Sequence, residues 1–267
     1  MKAVIFDLDD TLLHDNLTIS EYSVSVFRKL KQQGYTIIAA SGRAQLSMKP
    51  FVDDLQCVSY YVSCNGAEIW DASDDSLIHS ELLTVDQARS IIAFAEEKHC
   101  YAQVYEGRNF FYSLSGPFAE KYAITSKLIG VRVSDLRAFV QKPLNKILFI
   151  SQEDVIGALL PEARARFSHF ASVTCSKPIY LEFNPLNATK GNALAYLCSF
   201  LNLDPVEVIA IGDSLNDLSM LKIAGCAVTV SNGWDEIRPF CHYIAASNNE
   251  DGPAHFLEQH FISEVVS

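Results

Sequence analysis

The sequence is short of positive charge and contains no cysteine motif, no long apolar run and no internal repeat. Its 267 residues include 21 lysines and arginines against 32 aspartates and glutamates, a formal net charge of −11. Binding to a nucleic-acid backbone needs a basic surface, so this balance argues against DNA or RNA as a partner. An acidic protein can still bind a small phosphate where a metal ion and a few donors reverse the local potential.

Two further absences argue against membrane proteins and zinc proteins. No stretch approaches the ~18 apolar residues of a membrane-spanning helix. The start, MKAVIFDLDDTLL, has aspartates in its apolar stretch, which a secretory signal does not tolerate. The seven cysteines include no CxxC pair and lie mostly in apolar runs, as reduced, buried thiols do. We therefore expect a cytoplasmic protein with no membrane partner.

The hydrophobic content of 49% is ordinary for a globular protein with a buried core. The chain exceeds the ~100–200 residues usual for one domain, so one large or two moderate domains are expected. Apolar runs at 3–8, 35–40 and 58–63 alternate with helical patterns at 18–33 and 43–55. This β-α-β-α-β order is typical of a doubly wound parallel sheet.

The pattern changes near residue 84 and changes back near Thr189. Between these points a helical pattern is followed by a hairpin signal and further short strands, which together predict an α+β block. We therefore predict an α/β fold with a Rossmann-like doubly wound core, built from 1–83 and 183–267. An α+β cap domain is inserted over 84–182.

Two aspartates stand at the end of the first predicted strand. In extended structure, positions i and i+2 face the same way, and the crevice of an open α/β sheet lies at the carboxyl ends of its strands. We therefore expect Asp7 and Asp9 side by side at the crevice. An isolated Asp-x-Asp also fits a plain polar strand exit, but Thr11 extends it to the more specific Asp-x-Asp-x-Thr-Leu.

Polar residues follow two other predicted elements in the same way. Ser41 precedes Gly42 and Arg43 at a helix start, where a hydroxyl and free backbone N–H groups can bind an anion. A plain helix cap is the simpler interpretation of Ser41 alone. Lys190 begins another predicted helix, although a lone lysine is usually solvated.

The last polar cluster follows a predicted strand at 206–211. It reads Gly-Asp-Ser-Leu-Asn-Asp and contains Asp213, Asn216 and Asp217. An acidic cluster at a strand end is a place where a metal ion could bind.

In this order the segments resemble the four motifs of the haloacid dehalogenase (HAD) superfamily of phosphatases, over the whole chain. Three further segments, Cys-Asn-Gly-Ala at 64–67, Thr-Lys-Gly-Asn-Ala-Leu at 189–194 and Asn-Asn-Glu-Asp-Gly at 248–252, resemble its Cof-type subfamily. That subfamily carries an α+β (C2B-type) cap between its second and third motifs.

The resemblance implies Mg²⁺-dependent hydrolysis of a small phosphorylated metabolite, a sugar phosphate or similar. Asp7 would attack phosphorus to form an aspartyl phosphate, Asp9 would be the acid/base partner, and Lys190 would suppress charge repulsion. The implied metal ligands are Asp7, the backbone carbonyl of Asp9, and Asp213. The implied phosphate- or substrate-binding residues are Ser41, Gly42, Arg43, Asn65, Gly66, Lys190, Asn216 and Asp217.

Two alternatives stay open. A phosphomutase shares the aspartyl-phosphate chemistry and the style of cap. A non-catalytic phosphate-binding regulator, such as a receiver-type phosphoacceptor, is disfavoured because receivers are shorter and lack so large an insert. The sequence is compatible with a monomer or a small homo-oligomer.

The chain departs from the family pattern at two places. Asp10 stands where the family usually has glycine; if the site needs a positive φ, aspartate is among the tolerant residues. Val230-Ser231-Asn232-Gly233 replaces a more usual Met-Gly-Asn-Ala. In the cap, Arg108, Tyr180 and Glu182 are candidates for contacting the substrate.

Overall fold

The computed structural model describes residues 1–106 and 109–262, so the predicted substrate contact at Arg108 lies outside the described residues. Internal contacts divide the chain into two units. The core unit comprises 1–43, 48–79 and 189–267, and the cap unit comprises 44–47 and 80–188. None of the described helices combines the length and the apolar character needed to cross a membrane.

The elements follow one another in three stretches. The first contains β1 (Ala3–Asp7), α1 (Glu21–Gln32), β2 (Thr36–Ala40), α2 (Gln45–Leu55), β3 (Tyr60–Ser63), β4 (Glu68–Asp71) and β5 (Leu77–Ser80). The second contains α3 (Val85–Glu97), β6 (Tyr101–Glu106), β7 (Asn109–Tyr112), α4 (Pro117–Ser126), β8 (Ile129–Arg132), α5 (Leu136–Phe139), β9 (Ile147–Ile150), α6 (Glu153–Phe167), β10 (Ala171–Lys177) and β11 (Tyr180–Pro185). The third contains α7 (Lys190–Leu201), β12 (Val208–Gly212), α8 (Leu218–Ile223), β13 (Cys226–Val230), β14 (Tyr243–Ala245) and α9 (Gly252–Phe261).

The core sheet has the strand order β14-β13-β12-β1-β2-β3-β4-β5. It is parallel from β14 to β3 and turns antiparallel between β3 and β4. The first strand of the chain is therefore central, with Ile5 opposite Ala210 of β12 on one side and Ile38 of β2 on the other. The carboxyl ends of β1, β2 and β12 consequently meet at one edge of the sheet.

Both faces of this sheet are covered, which explains why its central strands are continuous apolar runs. Val4 and Phe6 belong to the layer that also contains the buried residues of α1, α2 and α9. Ala3 and Ile5 point the other way, into the layer with α7 and α8. This two-sided burial holds the end of β1 rigid, and that end carries Asp7.

The cap unit contains a sheet with the order β10-β11-β9-β6-β7-β8. Its pairs are antiparallel except for β7 with β8, which are parallel. One face packs apolar residues, including Phe149 and Phe183, against α3, α5 and α6. The other face carries a buried ion pair between Lys146 Nζ and Glu182 Oε1 at 2.7 Å.

The predicted fold class is confirmed: a doubly wound, mostly parallel core interrupted by an α+β insert. The helices and strands that the sequence predicts lie within a few residues of those in the structure. For example, α1 starts at Glu21 because the Ser20 side chain accepts the Ser23 N–H. No pattern in the sequence predicts β4, β5, β8, β14 or α5. They are short, and most of their residues are exposed or only partly buried, so they leave no apolar run in the sequence.

Candidate active site

Asp7 is the last residue of β1, and its side chain is buried. The chain then makes a turn in which Asp9 is extended and Asp10 is left-handed, with φ of 57° and ψ of 2°. Asp10, which stands where the family usually has glycine, therefore does have a positive φ. Asp10 is exposed. The turn closes where the Leu13 N–H donates to the Leu8 carbonyl at 2.8 Å.

Lys190 is buried completely at the first turn of α7, behind the N-cap Thr189. Its ammonium donates to Asp7 Oδ1 and, at 2.5 Å, to Asp217 Oδ1. Burial alone would lower the pKa of Lys190, but the charges of Asp217 and Asp7 outweigh burial and raise it. The Lys190 ammonium therefore stays charged although it is buried. From the sequence alone, a single lysine at a helix start is more simply interpreted as solvated.

Three buried carboxylates form the acidic cluster of the site. Oxygen atoms of Asp7, Asp213 and Asp217 all lie within 4.8 Å of one another. Asp217 Oδ2 also accepts the backbone N–H groups of Asp213 and Ser214 at 3.0 and 3.1 Å, which shapes the turn after β12. Thr11 Oγ1 donates to Asp213 Oδ1 at 2.9 Å and so joins the turn after β1 to the turn after β12.

The electrostatics of this cluster favour a cation. Burial raises the pKa of Asp7 well above its usual range, even though the Lys190 charge opposes this. Burial, followed by the charge of Asp217, raises the pKa of Asp213 to about 7. Hard oxygen donors with more negative charge than one lysine balances are the donor set that suits Mg²⁺. The chemistry of these residues therefore fits a divalent cation bound through oxygen ligands, the class to which the Mg²⁺ implied by the family resemblance belongs.

Asp9 is bound by a guanidinium group rather than by the acidic cluster. Arg43 Nε donates to Asp9 Oδ2 at 2.8 Å, and Arg43 Nη2 donates to Asp9 Oδ1 at 2.6 Å. The Arg43 guanidinium also lies over the ring of Phe51, 4.9 Å from its centroid. The family resemblance implies that Arg43 binds phosphate or substrate; the structure adds that Arg43 orients the acid/base candidate.

Ser41 and Asn65 lie on adjacent loops at the ends of β2 and β3. Ser41 is buried, and its Oγ accepts the Arg43 N–H at 3.1 Å. The Asn65 N–H donates to the Ser41 carbonyl at 3.0 Å, and the Asn65 side chain accepts from Asn216 Nδ2 at 3.0 Å. The structure thus brings together polar residues from three of the predicted segments.

Gly42 and Gly66 have steric reasons to be glycine. A Cβ on Gly66 would lie 2.3 Å from the Thr189 carbonyl oxygen, and its φ is +113°. A Cβ on Gly42 would lie 3.0 Å from Asn65 Oδ1. These glycines let the loops approach one another at the carboxyl edge of the sheet.

Several functional contacts were missed from the sequence. Nothing in the spacing linked Thr11 to Asp213, because 202 residues separate them. The sequence also contains no sign that Asp217 pairs with Lys190. The same is true of the hydrogen bond from Asn232 to the Asp10 backbone. In the cap unit, Glu182 is paired with Lys146, so its carboxylate already has a partner.

Comparison with known proteins gives a consistent picture. The profile of the haloacid dehalogenase-like hydrolases matches residues 4–257. Two Bacillus subtilis (strain 168) proteins, each bearing the name 5-amino-6-(5-phospho-D-ribitylamino)uracil phosphatase, are similar to the chain. YcsE is 28% identical and covers 95% of this chain and 93% of its own length. YwtE is 27% identical and covers 97% and 98%. A haloacid dehalogenase-like hydrolase structure from Bacteroides thetaiotaomicron superposes with a TM-score of 0.90 at 27% identity, covering 97% of this chain and 99% of that one.

Proposed function

The chain belongs to the haloacid dehalogenase-like hydrolase family and is a phosphatase, and on that premise we propose that it hydrolyses small phosphomonoesters through an aspartyl phosphate on Asp7. The observation that carries the proposal is the buried Asp7 carboxylate, which Lys190 contacts and which lies in one cluster with Asp213 and Asp217. A rigid, partly neutralised carboxylate at the end of a central strand suits attack on an anionic phosphoryl group.

The reaction would proceed in two displacements. An Asp7 oxygen forms a bond to phosphorus while the bond from phosphorus to the leaving oxygen breaks, and Asp9 supplies the proton to that oxygen. Water then attacks phosphorus, Asp9 takes the proton of the water, and Asp7 leaves as a free carboxylate with inorganic phosphate as product. Arg43 would hold Asp9 in position and would have to release it for proton transfer.

Mg²⁺ would be held by Asp7, Asp213 and the backbone carbonyl of Asp9, with Asp217 close enough to contribute directly or through water. When bound, it would neutralise charge on the transferring phosphoryl group. Thr11 and the backbone N–H groups that bind Asp217 would keep these carboxylates oriented. Lys190 would stay protonated and reduce repulsion between Asp7 and the substrate.

Ser41, Gly42 and Asn216 are the residues we propose for binding the phosphoryl oxygens, with Asn65 and Gly66 near the leaving group. Their support is that Asn65 contacts both the Ser41 backbone and the Asn216 side chain. Hydroxyl, amide and backbone N–H donors stabilise the spread negative charge of a phosphoryl group.

The substrate class is tested by measuring phosphate release from a panel of metabolites with Mg²⁺ present. The panel includes sugar phosphates and 5-amino-6-(5-phospho-D-ribitylamino)uracil, because YcsE and YwtE are named for that compound. We expect Mg²⁺-dependent release of inorganic phosphate from at least one of them. Undiminished activity in excess chelator would contradict the proposed metal dependence.

A phosphomutase remains the second candidate because it uses the same aspartyl phosphate. The two are separated by following hexose phosphates for both free phosphate and isomerised product. Isomerised product without free phosphate would favour the mutase over the hydrolase.

We also propose that the enzyme works in a reducing compartment such as the cytoplasm. All seven cysteines are free thiols, and Cys57, Cys64, Cys100, Cys198 and Cys226 are buried. Buried free thiols are typical of proteins from reducing compartments.

A further inference from the structure

The loop after β13, residues 231–234, joins the two turns that carry the acidic residues; we call it the bridging loop. Asn232 Nδ2 donates to the Asp10 carbonyl at 2.7 Å, in the turn after β1. The Trp234 N–H donates to the Asp213 carbonyl at 2.8 Å, in the turn after β12. We propose that Asn232 is a positioning residue, which holds the Asp9–Asp10 backbone in the geometry that catalysis needs.

Asp10 has a backbone conformation that such a hydrogen bond can stabilise. Its φ of 57° is in the left-handed region, which is disfavoured for residues other than glycine. The φ of Asp10 rotates the peptide that contains the Asp9 carbonyl, and that carbonyl is the proposed Mg²⁺ ligand. A hydrogen bond on the next carbonyl, that of Asp10, therefore restrains the direction of the Asp9 carbonyl as well.

Asn232 is itself held in place, so its side chain can act as a clamp. Its Oδ1 accepts the Asn248 N–H at 3.0 Å, while its Nδ2 faces the Asp10 carbonyl. Asn248 is buried and donates from its own Nδ2 to the Leu13 carbonyl at 2.9 Å. The two asparagines thus donate hydrogen bonds to the turn after β1 at both ends, to the Asp10 and Leu13 carbonyls.

The bridging loop is also closely packed against its neighbours at Gly233. A Cβ on Gly233 would lie 2.6 Å from Thr229 Oγ1 and 3.1 Å from the Asp213 carbonyl oxygen. The backbone of the loop therefore lies directly against the Asp213 turn. Asn232 reaches Asp10 from a fixed base, which a mobile surface asparagine would not have.

The inference rests on the proposed function, and its central test is the isosteric variant Asn232→Asp. The carboxylate keeps the acceptor for the Asn248 N–H but presents an oxygen, not an N–H, to the Asp10 carbonyl. We expect kcat to fall about tenfold while KM changes less than about twofold, because the change removes positioning and not substrate contacts. The Mg²⁺ concentration for half-maximal activity should rise.

The matched control is Asn16→Asp, which makes the same chemical change at another exposed asparagine. Asn16 Oδ1 only accepts hydrogen bonds, from the Thr18 N–H and Thr18 Oγ1, so a carboxylate preserves both. Its kcat and KM should stay within about twofold of the wild type, since both described hydrogen bonds of this side chain use Oδ1, which the carboxylate keeps. If Asn232→Asp matched this control in an active enzyme, the positioning role would be overturned.

A second measurement does not depend on activity or on metal. In metal-free protein, Asn232→Ala should speed hydrogen exchange of the Leu13 amide about tenfold, because this amide closes the turn that Asn232 supports. Amides of β2 and α7 should exchange as in the wild type; general acceleration would show a merely structural role and overturn the inference. If the wild type hydrolysed no phosphate ester, the proposed function would fail, and unchanged exchange at Leu13 would separately refute the clamp.

Discussion

Arg43 holds Asp9 through a two-point ion pair, with Nε on one carboxylate oxygen and Nη2 on the other. The two residues follow different strands, β1 and β2, so the pair joins two neighbouring loops of the site. A planar guanidinium that binds both oxygens sets the rotation of the carboxylate as well as its position. Arg43 therefore fixes both the position and the rotation of the acid/base candidate in this structure.

Replacing Arg43 with lysine should impair catalysis although the charge is kept. A lysine ammonium is a point donor and cannot bind both Asp9 oxygens in one plane, so we expect kcat to fall about tenfold. Steady-state kinetics would measure this. Arg28→Lys is the control, because Arg28 makes one exposed hydrogen bond to Gln56, and it should change kcat less than about twofold. Equal kinetics for the two variants would argue against the orienting role.

Replacing Asp7 with asparagine should abolish turnover. An amide oxygen is a far weaker nucleophile than a carboxylate, so we expect a loss of at least about a thousandfold in kcat. The fold should persist because asparagine keeps the shape of the side chain, and circular dichroism would confirm this. Phosphatase activity close to that of the wild type would rule out Asp7 as the nucleophile.

The metal-free protein should become less stable as pH rises from about 4 to about 8. Asp213 has a folded-state pKa of about 7 against an ordinary value of 3.8, so the folded protein binds more protons in this window. Stability is then highest below pH 4, as far as this group is concerned, and is lost through pH 7. The raised pKa of Asp7 acts in the same direction.

Thermal unfolding in chelator at pH 5 and pH 8 measures this effect. Asp213→Asn removes the titrating group, so its unfolding temperature should fall less between the two pH values while its activity is lost. Added Mg²⁺ should stabilise the wild type most at pH 8, because it binds the ionised carboxylates. A wild type with the same pH slope as Asp213→Asn would contradict the explanation.

Removing the buried ammonium should destabilise the fold itself. Lys190→Met leaves Asp7 and Asp217 buried without a cation, which typically costs about 3–5 kcal/mol in free energy of unfolding. The double variant Lys190→Met/Asp217→Asn should recover part of this stability but no activity. Lys2→Met breaks only the exposed pair with Glu207 and should cost less than about 1 kcal/mol. Chemical denaturation of the three variants provides the comparison.

The parts of the site that the sequence predicted are those written in local patterns. The buried run of β1 and the acids that follow it predicted the position of Asp7, because strand burial and strand ends leave a period in the sequence. The order of polar segments after successive strands predicted which residues meet. The family resemblance supplied the chemical roles.

The parts that could not be predicted depend on contacts between distant loops. The charge of Asp9 acts on the pKa of Asp7, as its expected place beside Asp7 implies, but its ion pair with Arg43 on the neighbouring loop has no sign in the spacing. The contact from Asn232 to Asp10 spans 222 residues and leaves no local trace. Such contacts depend on the order of the strands in the sheet. The spacing of residues along the chain does not encode that order.

The central position of β1 has a consequence for how the molecule is made. This strand is synthesised well before one of its two neighbours, β12, which begins about 200 residues later at Val208. Until then, one edge of an apolar strand is unpaired, and Asp7 has neither Lys190 nor Asp217 beside it. Non-local pairing of this kind slows folding and exposes the nascent chain to aggregation. The site should therefore be among the last features to form, after the insert between its halves has been synthesised.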